Sequence, residues 1–397
     1  MSASSKPIRR HVFFLSGFDP KGAAYYHALY QRNALRQSEN SRIEYTVGAR
    51  KRIDGLNQSW DVSANEKGDS AQTQYEFLVW DDIVRKHWQR GAWRLIAETL
   101  STYAYAIARG VLPKVKALAP RTLIGLFYPL AFLALASLAT VALATTAFLL
   151  VLGGGSSWSM AIASSGIVTV LGIWLARRVE ARLNTSWLAR IFTFARRYAC
   201  QQIPELDARL DEFARRIAAK LAEKDTDEVL IVGFSVGSIL AVSATARALS
   251  MVTSGRRTEC APALSVLTLA HCLPMLSLLP EAQRFRAELT QLAMHRQLYW
   301  VDFSSPTDWG SFALVDPVDA TTVPLSDRPH RQPLLRSPRF HTQFSASEYA
   351  RLRRDKRRMH LQYLMAGSLP ASYDYFAITA GSLTLAQRYP IHPSDPE

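Results

Sequence analysis

The sequence predicts an α/β fold, with a mostly parallel sheet flanked by helices and interrupted by a hairpin of two apolar helices. Three observations predict it. Short β-rich runs alternate with helical runs on both sides of the interruption. One of them, Glu228-Val229-Leu230-Ile231-Val232, is apolar on both faces, as a strand in the middle of a parallel sheet must be. Between Thr122 and Ala176 there is no Asp, Glu, Lys or Arg, so this stretch is apolar enough to pass through a bilayer and return.

Taken in order, the N-terminus is polar up to Arg10 and leads directly into a strand over 11–15, ended by Ser16-Gly17. No targeting segment competes there, and a mature, cytosolic N-terminus is expected. The turn Asp19-Pro20-Lys21-Gly22 introduces a helix over 23–37. Strands are expected over 43–47 and 75–80, with a polar Gly/Asn/Asp/Ser-rich connection between them.

The next stretch, 83–116, interleaves Trp88, Trp93, Leu95, Ile96, Tyr103 and Tyr105 with Arg85, Lys86, Arg90, Arg94 and Arg109. Two placements fit it equally well: along the headgroup layer of a membrane, or as an amphipathic helix packed on the globular body.

A membrane-crossing helix needs roughly 20 apolar residues to span ~30 Å at ~1.5 Å per residue. The run 123–152 exceeds that length, and 160–176 is just sufficient to return. Small residues recur every fourth position (Ala136, Thr140, Ala144; Ala161, Ser165, Thr169), a stripe along which two helix backbones can approach. The competing arrangement is a hairpin buried in a soluble core, and the flanks argue against it. Lys114, Lys116 and Arg121 precede the first run and Arg177, Arg178, Arg182 and Arg190 follow the second, while the connection from Gly153 to Ser159 has no charge. The positive-inside rule then puts both flanks and both termini in the cytoplasm, with the chain in the inner (cytoplasmic) membrane.

Beyond the hairpin, 191–200 extends a membrane-proximal helix, Pro204 opens a helix over 205–223, strands are expected over 264–270 and 298–303, and a helix over 280–294. The chain thus divides into the first part of an α/β body (1–82), a basic and aromatic helical segment (83–121), the hairpin (122–176), a membrane-proximal helix (177–203) and the rest of the body (204–397).

The formal charge of +14 suits either nucleic acid or an anionic membrane surface. With an anchor present the membrane is the expected partner, and no nucleic-acid recognition motif accompanies the charge. Cys200, Cys260 and Cys272 are odd in number and irregularly spaced, as reduced thiols are. His271 beside Cys272 lacks a second ligand pair at metal-binding spacing and reads as a core pair, so no metal or cofactor is expected.

Chemistry enters at Gly233-Phe234-Ser235-Val236-Gly237, which joins the apolar strand to a small-residue helix over 238–249. In this strand-turn-helix context a side chain at either glycine would collide with neighbouring backbone, and the serine hydroxyl is left at the tip of the turn. A serine that merely caps a helix is the plainer alternative.

On these residues the chain resembles the α/β-hydrolase fold family over most of its length outside the hairpin. The resemblance implies a Ser235 nucleophile and an oxyanion hole from the amides of Val236 and of Phe18, the latter in the Ser16-Gly17-Phe18-Asp19 turn. The family order of serine, acid, histidine implies Asp308 as the acid, in the loop after the 298–303 strand, with Asp302 as competitor and Asp316 less favoured. Among His330, His341, His360 and His392 it implies His360 as the base, because His360-Leu361-Gln362-Tyr363 resembles the H-x-x-Y segment of some relatives. His341, in a strand-like run over 339–344, is the runner-up. Ser345 and Glu348 form a capping box, which predicts a helix running toward His360. The basic run 351–358 ahead of it suits either anion recognition near the site or a solvated helix face.

The implied activity is hydrolysis of a lipid or other acyl ester through an acyl-enzyme. A non-catalytic membrane scaffold with the same fold is the alternative.

Overall fold

The computed structural model describes residues 7–66, 69–89, 91–183, 185–223, 225–252, 262–321, 324–329 and 332–391. Cys260, Arg90, His330 and His392 lie outside the described residues.

One mixed sheet organises the body. Its strands are β1 (Ile8–Leu15), β2 (Glu44–Val47), β3 (Lys51–Arg52), β4 (Gln58–Glu66), β5 (Asp69–Phe77), β6 (Glu228–Phe234), β7 (Ala263–Leu269), β8 (Leu298–Phe303) and β9 (Leu334–Arg336). They lie in the order β2-β4-β5-β1-β6-β7-β8-β9, with β3 paired to β4. From β5 through β9 every neighbouring pair is parallel, while β2, β3 and β4 join antiparallel at one edge. The central strand β6 is buried at every position, which is why its sequence is apolar on both faces.

The polar stretch expected to be a connection contains β4. Its Trp60, Val62 and Ala64 face the core at alternate positions, with Asp61 and Ser63 facing out, so a two-residue period is present beneath a loop-like composition. The strand expected over 75–80 begins earlier and ends at Phe77, because Ala71, Thr73, Tyr75 and Phe77 carry the buried face.

The α-helices are α1 (Ala23–Asn40), α2 (Asp81–His87), α3 (Ala92–Ala108), α4 (Val111–Leu118), α5 (Pro120–Gly153), α6 (Trp158–Leu183), α7 (Thr185–Ala199), α8 (Pro204–Ala222), α9 (Gly237–Met251), α10 (Leu273–Ser277), α11 (Gln283–Ala293), α12 (Ala346–Arg354), α13 (Lys356–Leu361), α14 (Tyr375–Ala380) and α15 (Leu385–Arg388). Two apolar cores form, one on each face of the sheet. Helices α8 and α9 pack against each other in the first and α1 lies over the second.

Helices α5 and α6 form a hairpin that is rooted in the first core at the base of α5, through Leu126, and leaves the body beyond it. Each is long and apolar enough to cross a membrane, and only 6% of the most apolar window of each is buried. Leu138, Leu150 and Val170 are largely exposed, so most of the hairpin is not a core element of the α/β body. Its helices meet closely where a Cβ on Gly172 would stand 2.7 Å from the Thr140 methyl group, and Ala144 and Ala161 are buried.

A buried ion pair joins β1 to β6, and its hydrogen bonds also hold the C-terminal segment. Arg10 Nε donates to Glu228 Oε2 at 2.6 Å, and the other guanidinium nitrogens donate to the carbonyls of Gly381 and Leu383 at 2.9 and 2.6 Å. Glu228 Oε1 accepts from Ser265 Oγ and the Leu385 amide. Removing one partner strands the other charge, so Arg10→Met is expected to lower unfolding free energy by roughly 3–5 kcal/mol. The Arg10→Met/Glu228→Met double variant is expected to recover much of that loss in denaturant titrations.

Candidate active site

Strand β1 lies between β5 and β6, and its chain connections leave toward one side of the sheet while β6 continues toward the other. This makes the β1/β6 boundary a topological switch point, where a crevice opens beyond the carboxyl ends of the strands. Ser16 to Asp19 follow β1 there, and Ser235 follows β6.

Ser235 has φ of 56°, a left-handed conformation that costs a non-glycine residue about 1–3 kcal/mol and persists only where its surroundings enforce it. Here the Ser235 amide donates to the Leu269 carbonyl at 2.8 Å, and the Ser235 carbonyl accepts from Ser238 N at 3.0 Å and from Ser238 Oγ. A Cβ on Gly233 would stand 2.6 Å from Ser238 Cα, so strand and helix meet without room for a side chain. Gly17 approaches less closely from the β1 side, its Cβ position falling 3.1 Å from Ser235 Cβ.

His360 does not lie deep in one long helix. The Ser345–Glu348 capping box is present, but α12 ends at Arg354 and Asp355 caps a second short helix, α13, through the Arg358 amide. That break turns His360 inward. Its Nδ1 stands 2.9 Å from Asp308 Oδ2 and 3.1 Å from Oδ1, and its Nε2 is buried without a partner among the described residues. The ring lies between Phe234 and Trp187, at centroid distances of 5.1 and 5.4 Å.

Asp308 sits in the loop after β8 and is almost fully buried. The Gly310 amide donates to its Oδ1 at 3.0 Å. Tyr363, three residues after His360, accepts the Ser305 amide at 2.7 Å, so the H-x-x-Y segment grips the loop that carries the carboxylate. The base of α5 holds the same loop from outside: Thr122 Oγ1 donates to the Ser311 carbonyl at 2.8 Å, and a Cβ on Gly125 would stand 2.9 Å from the Trp309 carbonyl oxygen.

Ser235 and His360 line one cavity of about 200 Å³. Phe18, Tyr26, Trp88, Trp187, Phe234 and Leu361 supply its apolar wall, and Lys21 and Arg357 bring two cations to it beside Asp19. The amides of Phe18 and Val236 have no acceptor among the described residues, while the Phe18 carbonyl accepts from Trp187 Nε1 at 3.1 Å. Ser235 Oγ faces Cys272 Sγ at 3.8 Å in the present rotamer.

Cys272 was legible only as a core residue, yet it touches the serine. Burial pushes its thiol up to about 12, so it is protonated at neutral pH and is no thiolate nucleophile. If Ser235 reacts with a fluorophosphonate, Cys272→Ser is therefore expected to leave that reaction in place, as intact-protein mass spectrometry would show.

The remaining sequence-derived candidates lie elsewhere. Asp302, inside β8, accepts from Thr268 Oγ1 and Ser304 Oγ, both at 2.7 Å, and burial raises its carboxyl above the usual range. Its nearest imidazole is the buried His271, at 3.8 Å, rather than His360. Asp316 is a turn residue held by Arg328 and the amides of Val318 and Asp319. His341 lies exposed in a 3-10 turn (Phe340–Thr342) entered through left-handed Arg339, not in a strand, and packs near Tyr349 outside the cavity. Of the basic run only Arg357 reaches the cavity lining; Lys356 covers the Trp309 ring at 4.1 Å.

Of the cavity residues Trp88, Trp187 and Lys21, the first and last had no signal in the sequence. Trp187 alone had a local cue, since it falls in phase with Ile191, Phe194 and Tyr198 on the inner face of α7.

No family model matches the chain, and neither a curated protein nor a solved structure does.

Proposed function

We propose that the chain is a membrane-anchored serine hydrolase of the α/β-hydrolase type that cleaves an acyl ester through an acyl-enzyme. The observation that carries this reading is the serine at φ 56° sharing one cavity with a histidine whose far nitrogen is bound by a buried carboxylate.

Rotation about the Ser235 Cα–Cβ bond takes Oγ from Cys272 toward His360 Nε2, the nitrogen left without a partner. His360 accepts the hydroxyl proton as Oγ attacks the ester carbonyl, and Asp308 holds Nδ1 protonated and stabilises the imidazolium that forms. The Phe18 and Val236 amides take the oxyanion, each worth about 3 kcal/mol of barrier. His360 returns the proton to the departing alcohol, and water reverses the sequence to release the acid.

In the same reading α5 and α6 cross the membrane, with their basic flanks and both termini in the cytoplasm. Because α5 grips the Asp308 loop, the cavity then lies near the bilayer surface. Its volume is below that of typical drug-sized pockets, which favours a short acyl group, and Lys21 and Arg357 suit an anionic group on the rest of the ester.

A fluorophosphonate separates this from a catalytically inactive scaffold of the same shape. Labelling of the wild-type chain, lost in Ser235→Ala, supports the hydrolase. Absence of labelling in the folded wild-type chain overturns it in favour of the scaffold.

A further inference from the structure

Helix α3 is built inside out for a soluble protein. Its inward face carries Thr99, Thr102, Tyr103 and Ala106, all buried, and the two threonine hydroxyls are satisfied by carbonyls one turn back, those of Leu95 and Glu98. Its outward face carries Trp93, Ala97, Leu100, Ala104 and Ile107, at spacings of three or four residues, which puts them on one side of the helix. Trp93 is 84% exposed, Leu100 50% and Ile107 63%. A solvated helix normally turns such a stripe inward.

The position of α3 identifies what covers the stripe. Tyr103 packs against Phe127 at 5.7 Å and donates its hydroxyl to the Leu126 carbonyl, both in α5 just inside the charge-free stretch that begins at Thr122. The helix therefore sits level with the end of the hairpin's apolar surface. Cations border it: Arg94 at its start, Arg196 bound to Ser101 Oγ at 3.0 Å, and the exposed Lys114, Lys116 and Arg121 between α3 and the apolar run.

We propose that α3 is an interfacial helix that lies in the headgroup layer of an anionic bilayer, with Trp93, Leu100 and Ile107 inserted among the acyl chains. An apolar stripe with cationic borders is the pattern that binds such a surface. The tyrosines have different places from those the sequence suggested, since Tyr103 points into the body and Tyr105 is half-buried with its hydroxyl on Glu281. This inference rests on the hairpin crossing the membrane, but not on the hydrolase activity.

The test is photocrosslinking of the full chain in nanodiscs of phosphatidylglycerol and phosphatidylcholine, with benzoylphenylalanine replacing one residue at a time. Leu138, exposed on the hairpin, reports whether the span is in lipid, and Leu35, exposed on α1, reports an aqueous surface. Lipid adducts at Leu100 and Ile107 as well as at Leu138, with none at Leu35, are expected. Adducts at Leu138 without any at Leu100 and Ile107 overturn the proposal, as does crosslinking of Leu100 to a second copy of the chain. Absence of adducts at Leu138 overturns the membrane anchor together with it.

Discussion

Ser235→Ala is expected to lower kcat for ester hydrolysis by on the order of 10⁶-fold, the loss seen when a serine nucleophile is removed and only the oxyanion donors and binding remain. His360→Ala should cost about as much, and the double variant little more, because the two groups act on one proton. Asp308→Asn is expected to lose roughly 10⁴-fold, since the amide no longer holds Nδ1 in the required protonation state. His341→Ala and Asp302→Asn mark the contrast, because neither side chain touches Ser235 or His360 in the structure. Turnover of a chromogenic ester by purified protein in nanodiscs measures all of them. Retention of wild-type kcat by Ser235→Ala would remove the mechanism.

Gly237→Ala is expected to have a large effect on stability. A Cβ there would overlap the Leu15 carbonyl oxygen and stand 2.6 Å from the Ser16 carbonyl oxygen, both backbone atoms that no rotamer change can move. Relief requires α9 to withdraw from the end of β1, and backbone overlap in a packed core costs roughly 3–5 kcal/mol. The thermal midpoint should fall accordingly, and the same withdrawal should displace Val236 and Ser235. A variant with an unchanged midpoint and unchanged labelling would show that the sharp turn through Ser235, the elbow between β6 and α9, is looser than its contacts indicate.

How much of this could be read in the sequence depended on whether the signal was local. The elbow was legible because two glycines, a serine and a both-sided apolar strand stand next to one another. The hairpin was equally legible, since an absence of charge over 122–176 has few other readings. Strand β4 was hidden by its polar composition, although Trp60, Val62 and Ala64 kept the alternation, and β9 is too short to carry a pattern. Choosing between His360 and His341 was not a local question. It depended on Asp355 ending α12, which turns His360 toward Asp308, while His341 sits exposed in a 3-10 turn ahead of α12. The cavity wall was less legible still, because Trp88 and Trp187 come from opposite sides of the hairpin and meet only in the folded chain.

Strand β1 has a consequence for biosynthesis. It pairs on one side with β5, and on the other with β6, which the ribosome makes only after the whole hairpin: Arg10 faces Glu228 across that second ladder. An emerging chain therefore holds a half-sheet with an unsatisfied inner edge while α5 and α6 are being made. Such an edge invites wrong pairing. His360 is made later still, after β7, β8 and β9, so Ser235 and His360 come to line one cavity only once the sheet has closed on both sides of β6.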